Sequence, residues 1–281
     1  MTNKVRYNGD GNRLHSPALW GDPAKWISDK QAGKALYVFD DFSDWSTHVV
    51  NTNANIISES GAWRVLADAG ITVNPVANSV DYTGKAHGVL VVADADADND
   101  EAYIFKPHPF AKFDYTQGGL KILYEVRFKI ETVNTGATWA FGLALASDVA
   151  AGFLADNTGE LVATANFLGF HAPDATGNTI ETVYQKASQT KVDVDTTAGS
   201  LVSNTYIKLG LVYDTNPGDG KAVKFFIDGV ELPDYVATAA LDDTGFPDGI
   251  SVVPVVAYKI DGTANLDLSL DWVSAGCKLP G

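Results

Sequence analysis

Carboxyl groups are the commonest chemically capable side chains in this 281-residue chain, 35 of them against 20 lysines and arginines. Two lie close together in a strand-like stretch, Asp267 and Asp271. Retaining hydrolysis of a glycosidic bond needs two carboxyls about 5–5.5 Å apart, one ionised and one protonated. At a strand rise of about 3.3 Å per residue this pair stands ~13 Å apart. Ser269 lies between them and no glutamate accompanies them, so the expectation is a solvated outer strand face. Ser147 and Ser188 lack the Gly-x-Ser-x-Gly setting of an activated serine. Cys277, the single cysteine, reads as a packed or partly exposed thiol and excludes both an intrachain disulfide and a cysteine zinc cluster. His15, His48, His87, His108 and His171 never fall three or four apart, so no helical metal pair is written here. The expectation is a chain without catalytic residues, and not an enzyme.

The acidic run Asp94-Ala95-Asp96-Ala97-Asp98-Asn99-Asp100-Glu101 offers hard oxygen ligands of the kind Ca²⁺ takes. As an EF-hand loop it fails, with Asn99 where glycine is needed at position six and Phe105 where glutamate is needed at position twelve. A hydrated acidic turn is expected, with no required metal and no cofactor. Sugar binding would set an aromatic ring against a sugar face with carboxylates and amides around it. Trp45, Trp63, Trp139 and Tyr235 are the loop aromatics that could serve, and nothing in the sequence selects one.

These residues are carried on a pattern of period two. In Lys121–Glu131, Ile122, Tyr124, Val126, Phe128 and Ile130 fall on one face and Lys121, Glu125, Arg127, Lys129 and Glu131 on the other. That alternation reads as a half-buried antiparallel strand. Leu266, Leu268, Leu270 and Trp272 repeat it, and Ile207, Leu209, Leu211 and Tyr213 form a third inward set. The first two sets are expected in one core between two sheets. Shorter candidates cover 36–39, 62–67, 89–93, 102–105, 138–146, 166–170, 182–185, 223–228 and 251–258. Asp228-Gly229 between apolar runs marks a tight hairpin, since it supplies the positive φ of a type I′ turn. Helix signals are nearly absent; residues 148–154 could make one short turn. About a dozen strands without helical crossovers cannot form a parallel sheet. The fold class expected is all-β, a two-sheet antiparallel sandwich or jelly roll.

With 46% hydrophobic and 20% charged residues the chain is globular. Its net charge of −15 argues against sequence-independent nucleic-acid binding and against docking on an anionic membrane surface. The opening residues are polar and no apolar run reaches the ~20 residues of a spanning helix. No cleaved secretory signal is expected, so the chain is made in a cytoplasm.

Two regions are expected, an extended N-terminal arm over 1–35 and a sandwich over 36–281. The arm shows no period, carries Pro17 and Pro23, and holds six bases against three acids on an otherwise acidic chain. Leu14, Leu19, Trp20, Trp26 and Ile27 need a surface to cover. Two surfaces are open to them, a neighbouring protein, which would make them partner-binding residues, or the chain's own sandwich.

Lys208–Asp214 followed by Phe225-Phe226-Ile227-Asp228-Gly229-Val230 resembles the strand and hairpin of laminin-G-like and concanavalin A-like jelly rolls. The closing Leu270-Asp271-Trp272-Val273-Ser274-Ala275 resembles the last strand of such domains in virion structural proteins of tailed bacteriophages. The stretches 99–105 and 123–130 and the leader 14–20 are similar to those same proteins. The resemblance implies a non-enzymatic capsid decoration protein on the outer phage head, bridging capsomers. Its partners would be the major capsid protein or other virion proteins, further copies of itself, or a host-surface glycan. An alternative is a carbohydrate-binding, lectin-like module on a tail or fibre, or a free lectin. Hydrolases of the concanavalin A-like class carry Glu-x-Asp-x-x-Glu or Glu-x-Asp-x-Glu on one strand, and neither string occurs here.

Overall fold

The structure is a computed structural model. It describes residues 15–21, 23–42, 56–57, 63–68, 71–80, 86–93, 98–133, 136–156, 158–173, 178–261 and 267–279. Asp94, Asp96, Trp45, Leu14 and Leu266 lie outside these residues, as does the side chain of Ile27.

The chain is strand along most of its described length, and alternating apolar positions mark strands such as Lys121–Ile130 and Ile207–Asp214. The first six are β1 (Ala35–Asp40), β2 (Ile56–Ile57), β3 (Arg64–Ala67), β4 (Thr72–Val80), β5 (Ala86–Ala93) and β6 (Glu101–Phe105). Then come β7 (Ala111–Lys112), β8 (Lys121–Ile130), β9 (Ala137–Leu145), β10 (Phe167–Ala172), β11 (Thr179–Gln185) and β12 (Val192–Ser200). The last five are β13 (Ile207–Asp214), β14 (Lys221–Ile227), β15 (Val230–Ala237), β16 (Ser251–Ile260) and β17 (Asp267–Lys278). One sheet runs β15-β14-β13-β8-β17-β5-β4, with β1 added beside β17. The other runs β12-β11-β10-β9-β16-β6-β3-β2, with β7 beside β16. Every described pairing is antiparallel. The fold is therefore a two-sheet β-sandwich.

The inward set of β8 (Ile122, Tyr124, Val126, Phe128, Ile130) is buried with Leu209, Leu211, Leu268 and Leu270. Phe128 stacks across the gap on Phe141 of β9, ring centroids 4.1 Å apart. Asp228 and Gly229 both hold positive φ, 50° and 80°, as the hairpin between β14 and β15 requires.

Three expectations are corrected. Trp272 is absent from the inter-sheet core. The β17–β8 register jumps between Leu270 and Trp272, so Asp271 is an extra residue and Trp272 pairs with Arg127 on the outer face. Such a bulge inverts the facing of the residues beyond it. Here it lies where β17 exchanges β5 for β1 as its neighbour. Asp271 in turn is not a solvated residue: it is buried and pairs with the equally buried Arg127. Third, the arm is not extended where it is described. Pro17–Trp20 forms α1 and Pro23–Gln31 forms α2. Elements this short cannot hold themselves helical, so their packing on the sheet must do it. A third α-helix, α3, spans Ala146–Ala151 and overlaps the single turn expected nearby.

Four strands escaped the reading of the sequence: the two-residue β2 and β7, and the longer β4 and β12, which each lie at a sheet edge. β12 (VDVDTTAGS) is exposed or half-buried throughout, so it lacks the apolar alternation that marks a covered strand.

Candidate functional site

The outer faces of the two sheets are covered differently. On the sheet containing β9, β10 and β16, residues 146–165 fold over the strands. Val149, Phe153, Leu154 and Leu161 pack there on Phe105, Ala144, Phe167, Val253 and Val255 to make a second core. Polar groups bolt this segment down. Asp148 accepts from the backbone N–H and side-chain amide of Asn166, at 2.8 and 2.9 Å. His171 contacts the Gly159 carbonyl at 2.8 Å. Lys191 bridges Glu160, Glu181 and Asp193 at 2.8–3.3 Å.

At one margin of that face, Tyr103 Oη donates to Glu101 Oε2 at 2.8 Å, and Lys259 Nζ lies 3.6 Å from the same carboxylate. Burial raises the Glu101 pKa against the lowering effects of Tyr103 and Lys259. Burial, then the neighbouring Glu101 charge, raises the Tyr103 phenol. This is a proton-holding pair assembled along one strand, but Tyr103 is fully buried beneath Phe153.

The sheet containing β8, β13 and β14 is covered by the arm. Ser16 donates to Glu125 through its backbone N–H at 3.1 Å and through its hydroxyl. Trp20 Nε1 donates to the same carboxylate at 2.7 Å. Glu125 is 1% exposed, and burial raises its pKa despite these donors and the nearby Lys208. Trp26 Nε1 donates to the Trp20 carbonyl at 2.9 Å, and the two indoles meet edge to face at 5.4 Å. Close approach needs bare backbone beneath. A Cβ on Gly276 would lie 2.8–3.1 Å from ring atoms of Trp26 and Trp20, and one on Gly210 only 2.4 Å from Leu19 Cδ1. His15 sits among Trp20, Tyr37, Phe39 and Trp272, with Nε2 3.2 Å from the Tyr37 hydroxyl. Burial, with a contribution from Lys208, lowers its pKa to about 4. On the same outer face, Arg127 stacks on Tyr206, 4.0 Å from ring centre, while it pairs with Asp271.

Beside α1 this face opens into a cleft of about 390 Å³. Val212 and Phe226 make its floor, Ala18 and Leu19 of α1 one wall, and Lys121, Asp214, Asp219, Lys224 and Glu231 its rim. The rim charges are satisfied in pairs: Lys121 with Asp214 at 2.8 Å, Lys224 with Asp219 at 2.6 Å, and Glu231 with Lys221 at 2.9 Å. Hydrogen bonding from Lys224 holds the Asp219 carboxyl below its ordinary value. Tyr235 is the register partner of Lys224 and so shares its outer face. The residue is 44% exposed, with Lys221 Nζ 5.0 Å from the centre of its ring.

Of the residues proposed for an interface, Leu19, Trp20 and Trp26 lie buried on the chain's own sheet, 6%, 5% and 3% exposed. Ile27 falls within α2. Among the aromatics considered for sugars, Trp63 and Trp139 are core residues, and Tyr235 is at the surface beside the cleft. No group of three or more metal-ligating side chains occurs among the described residues. Glu125 and the rim of Lys121, Asp214, Asp219, Lys224 and Glu231 had no distinguishing mark in the sequence. They are polar residues on outward positions, like many others; Asp228-Gly229, which folds β15 back beside β14, was the nearest signal.

No protein-family model matches the sequence, and no curated protein matches it. Solved structures do match the fold. A protein of unknown function from Shewanella oneidensis MR-1 superposes with a TM-score of 0.54 at 14% identity, over 92% of this chain and 95% of that one. An endo-beta-1,4-glucuronan lyase from the fungus Trichoderma reesei gives 0.52 at 14% identity, over 79% and 93%. A structure described with endo-acting O-glycanases of the human gut microbiota gives 0.51 at 13% identity, over 85% and 97%. These structures share the two-sheet antiparallel jelly-roll sandwich described above. None of these three is described as a capsid component.

The expectation that the chain is not an enzyme is corrected by these comparisons: the fold is shared with a lyase and with a structure described with glycanases, so it is one that carries catalysis elsewhere. The physical reason is that a missing motif tests one arrangement of carboxylates on one strand. A sandwich can gather acid and base groups from several strands, as Glu101, Tyr103 and Lys259 of β6 and β16 illustrate.

Proposed function

We propose that this chain is a glycan-binding β-sandwich whose site is the cleft between α1 and strands β13–β15. The observation that carries the reading is the exposed Tyr235 ring beside an open cleft with an apolar floor and a self-paired charged rim. A sugar ring has apolar C–H faces and a girdle of hydroxyls. An aromatic surface takes the first, and charged groups that still have free lone pairs and protons take the second. Because each rim charge already has a counterion, a neutral polyol can bridge them without stranding a buried charge. The cleft volume is within the range of small-ligand sites. The shared jelly roll agrees with this reading at the level of fold.

Glycan-array binding followed by titration calorimetry tests it. Saturable binding is expected, weakened about fivefold by Tyr235→Ala, which removes a stacking contact worth about 1 kcal/mol. Asp219→Ala, which breaks the rim, should weaken it as well. Both positions are surface-exposed, so the unfolding midpoint should hold. Absence of binding to any glycan, or binding indifferent to both substitutions, refutes the proposal. Mass analysis of the incubated oligosaccharide shows whether it is also cleaved.

A further inference from the structure

One wall of this cleft belongs to the arm. Ala18 and Leu19 of α1 line it directly. They sit between two arm residues bonded to Glu125, Ser16 and Trp20, which clamp the helix at both ends. Leu19 Cδ1 fills the space that a side chain at position 210 would take, so the sheet is shaped to receive it. We propose that Glu125 is a positioning residue of the glycan site: through Ser16 and Trp20 it holds α1 as the cleft wall, so that glycan binding and arm docking are coupled. This rests on the glycan-binding reading. Glu125 does not line the cleft; it acts through the arm.

The coupling is reciprocal. If docking the arm strengthens glycan binding by some factor, bound glycan strengthens docking by the same factor. A residue with a purely structural role would make stability depend on Glu125 but would not make the arm respond to ligand.

The chemistry of the clamp distinguishes two substitutions. Glu125→Ala removes the acceptor for three donors. Glu125→Gln keeps one acceptor oxygen for Ser16 N–H and the Trp20 indole, and the Ser16 hydroxyl can turn to accept from the new amide. The experiment measures glycan affinity in the full chain and its Glu125→Ala, Glu125→Gln and Ser16→Ala variants. It also follows hydrogen exchange of the Trp20 indole N–H in the unsubstituted protein with and without saturating glycan.

The expected result is a tenfold or greater loss of affinity in Glu125→Ala, a smaller loss in Ser16→Ala, and affinity within about threefold of the parent in Glu125→Gln. Trp20 exchange should slow on adding glycan. If Glu125→Ala fails to fold, Ser16→Ala and the exchange measurement decide. Affinity unchanged in the variants, or Trp20 exchange indifferent to a glycan that does bind, overturns the coupling alone. Failure of the parent protein to bind any glycan overturns the functional reading and the coupling with it.

Discussion

Replacing Trp20 by alanine tests whether the arm is an integral part of the sandwich. The side chain is 5% exposed and packs against Trp26 at 5.4 Å, Tyr37 at 5.7 Å and His15 at 4.9 Å. Truncating a buried tryptophan costs about 3–5 kcal/mol. Its indole also gives one of the three hydrogen bonds to the buried Glu125 carboxylate, and losing one donor there adds about 1–3 kcal/mol. The arm can also peel away while the strands stay paired, which caps the visible loss at the free energy of docking. The expected outcome is a loss of about 3–5 kcal/mol in urea unfolding, or a melting midpoint lower by about 5–9 °C for a chain of this length. Trp20→Phe keeps most of the packing and loses the N–H, so it isolates the hydrogen bond at about 1–3 kcal/mol. Near-ultraviolet circular dichroism should change in the alanine variant, because an indole in a fixed asymmetric contact is removed. A midpoint within about 1 °C of the parent would show that the arm contributes nothing to the domain, and the reasoning from burial would fail.

Three further outcomes are expected. His15 is held near pKa 4 by burial and by Lys208, below its unfolded value of 6.5. Its stabilising contribution is complete above pH 6.5 and is lost as the pH falls toward 4, by on the order of 3 kcal/mol. Glu125, whose pKa is raised by burial, acts in the opposite sense on acidification, so the test is the difference between the parent and His15→Phe. A parallel pH dependence in both proteins would exclude His15 as the source. Asp271→Ala should cost about 3–5 kcal/mol by stranding the buried Arg127 charge, whereas the double change Asp271→Leu with Arg127→Met should recover most of that, as read by denaturant midpoints. Gly142→Ala should cost about 4 kcal/mol or more, since its Cβ would stand 2.3 Å from the Leu168 carbonyl oxygen, while Gly118→Ala, with nothing within 4 Å, should stay within about 0.5 kcal/mol; equal effects would show that β9 and β10 do not approach as described.

Several features were legible from residue types alone. Alternation over Lys121–Glu131 placed Ile122, Tyr124, Val126, Phe128 and Ile130 in one core, because a strand has a strict period of two and the apolar face must be covered. Asp228-Gly229 marked a hairpin because few residues accept positive φ in succession. Absent helical crossovers required antiparallel sheets. The tryptophans of the first 35 residues announced that the segment must cover something. Which surface they cover was decided by a third dimension: Glu125 lies more than 100 residues away, and its role depends on Ser16 and Trp20 reaching it together. Trp272 was misplaced because one inserted residue, Asp271, flips the facing of a strand, and a bulge leaves no mark in the apolar pattern that precedes it. The cleft's Asp214, Asp219, Lys224 and Glu231 lie within one run of consecutive strands, but α1 and Lys121 of β8 are far from them in sequence and complete the cleft only once the sheet has formed. Local periodicity states which face of a strand is buried. Only the packed sheets state what buries it, and so which polar residues are left beside an open ring such as Tyr235.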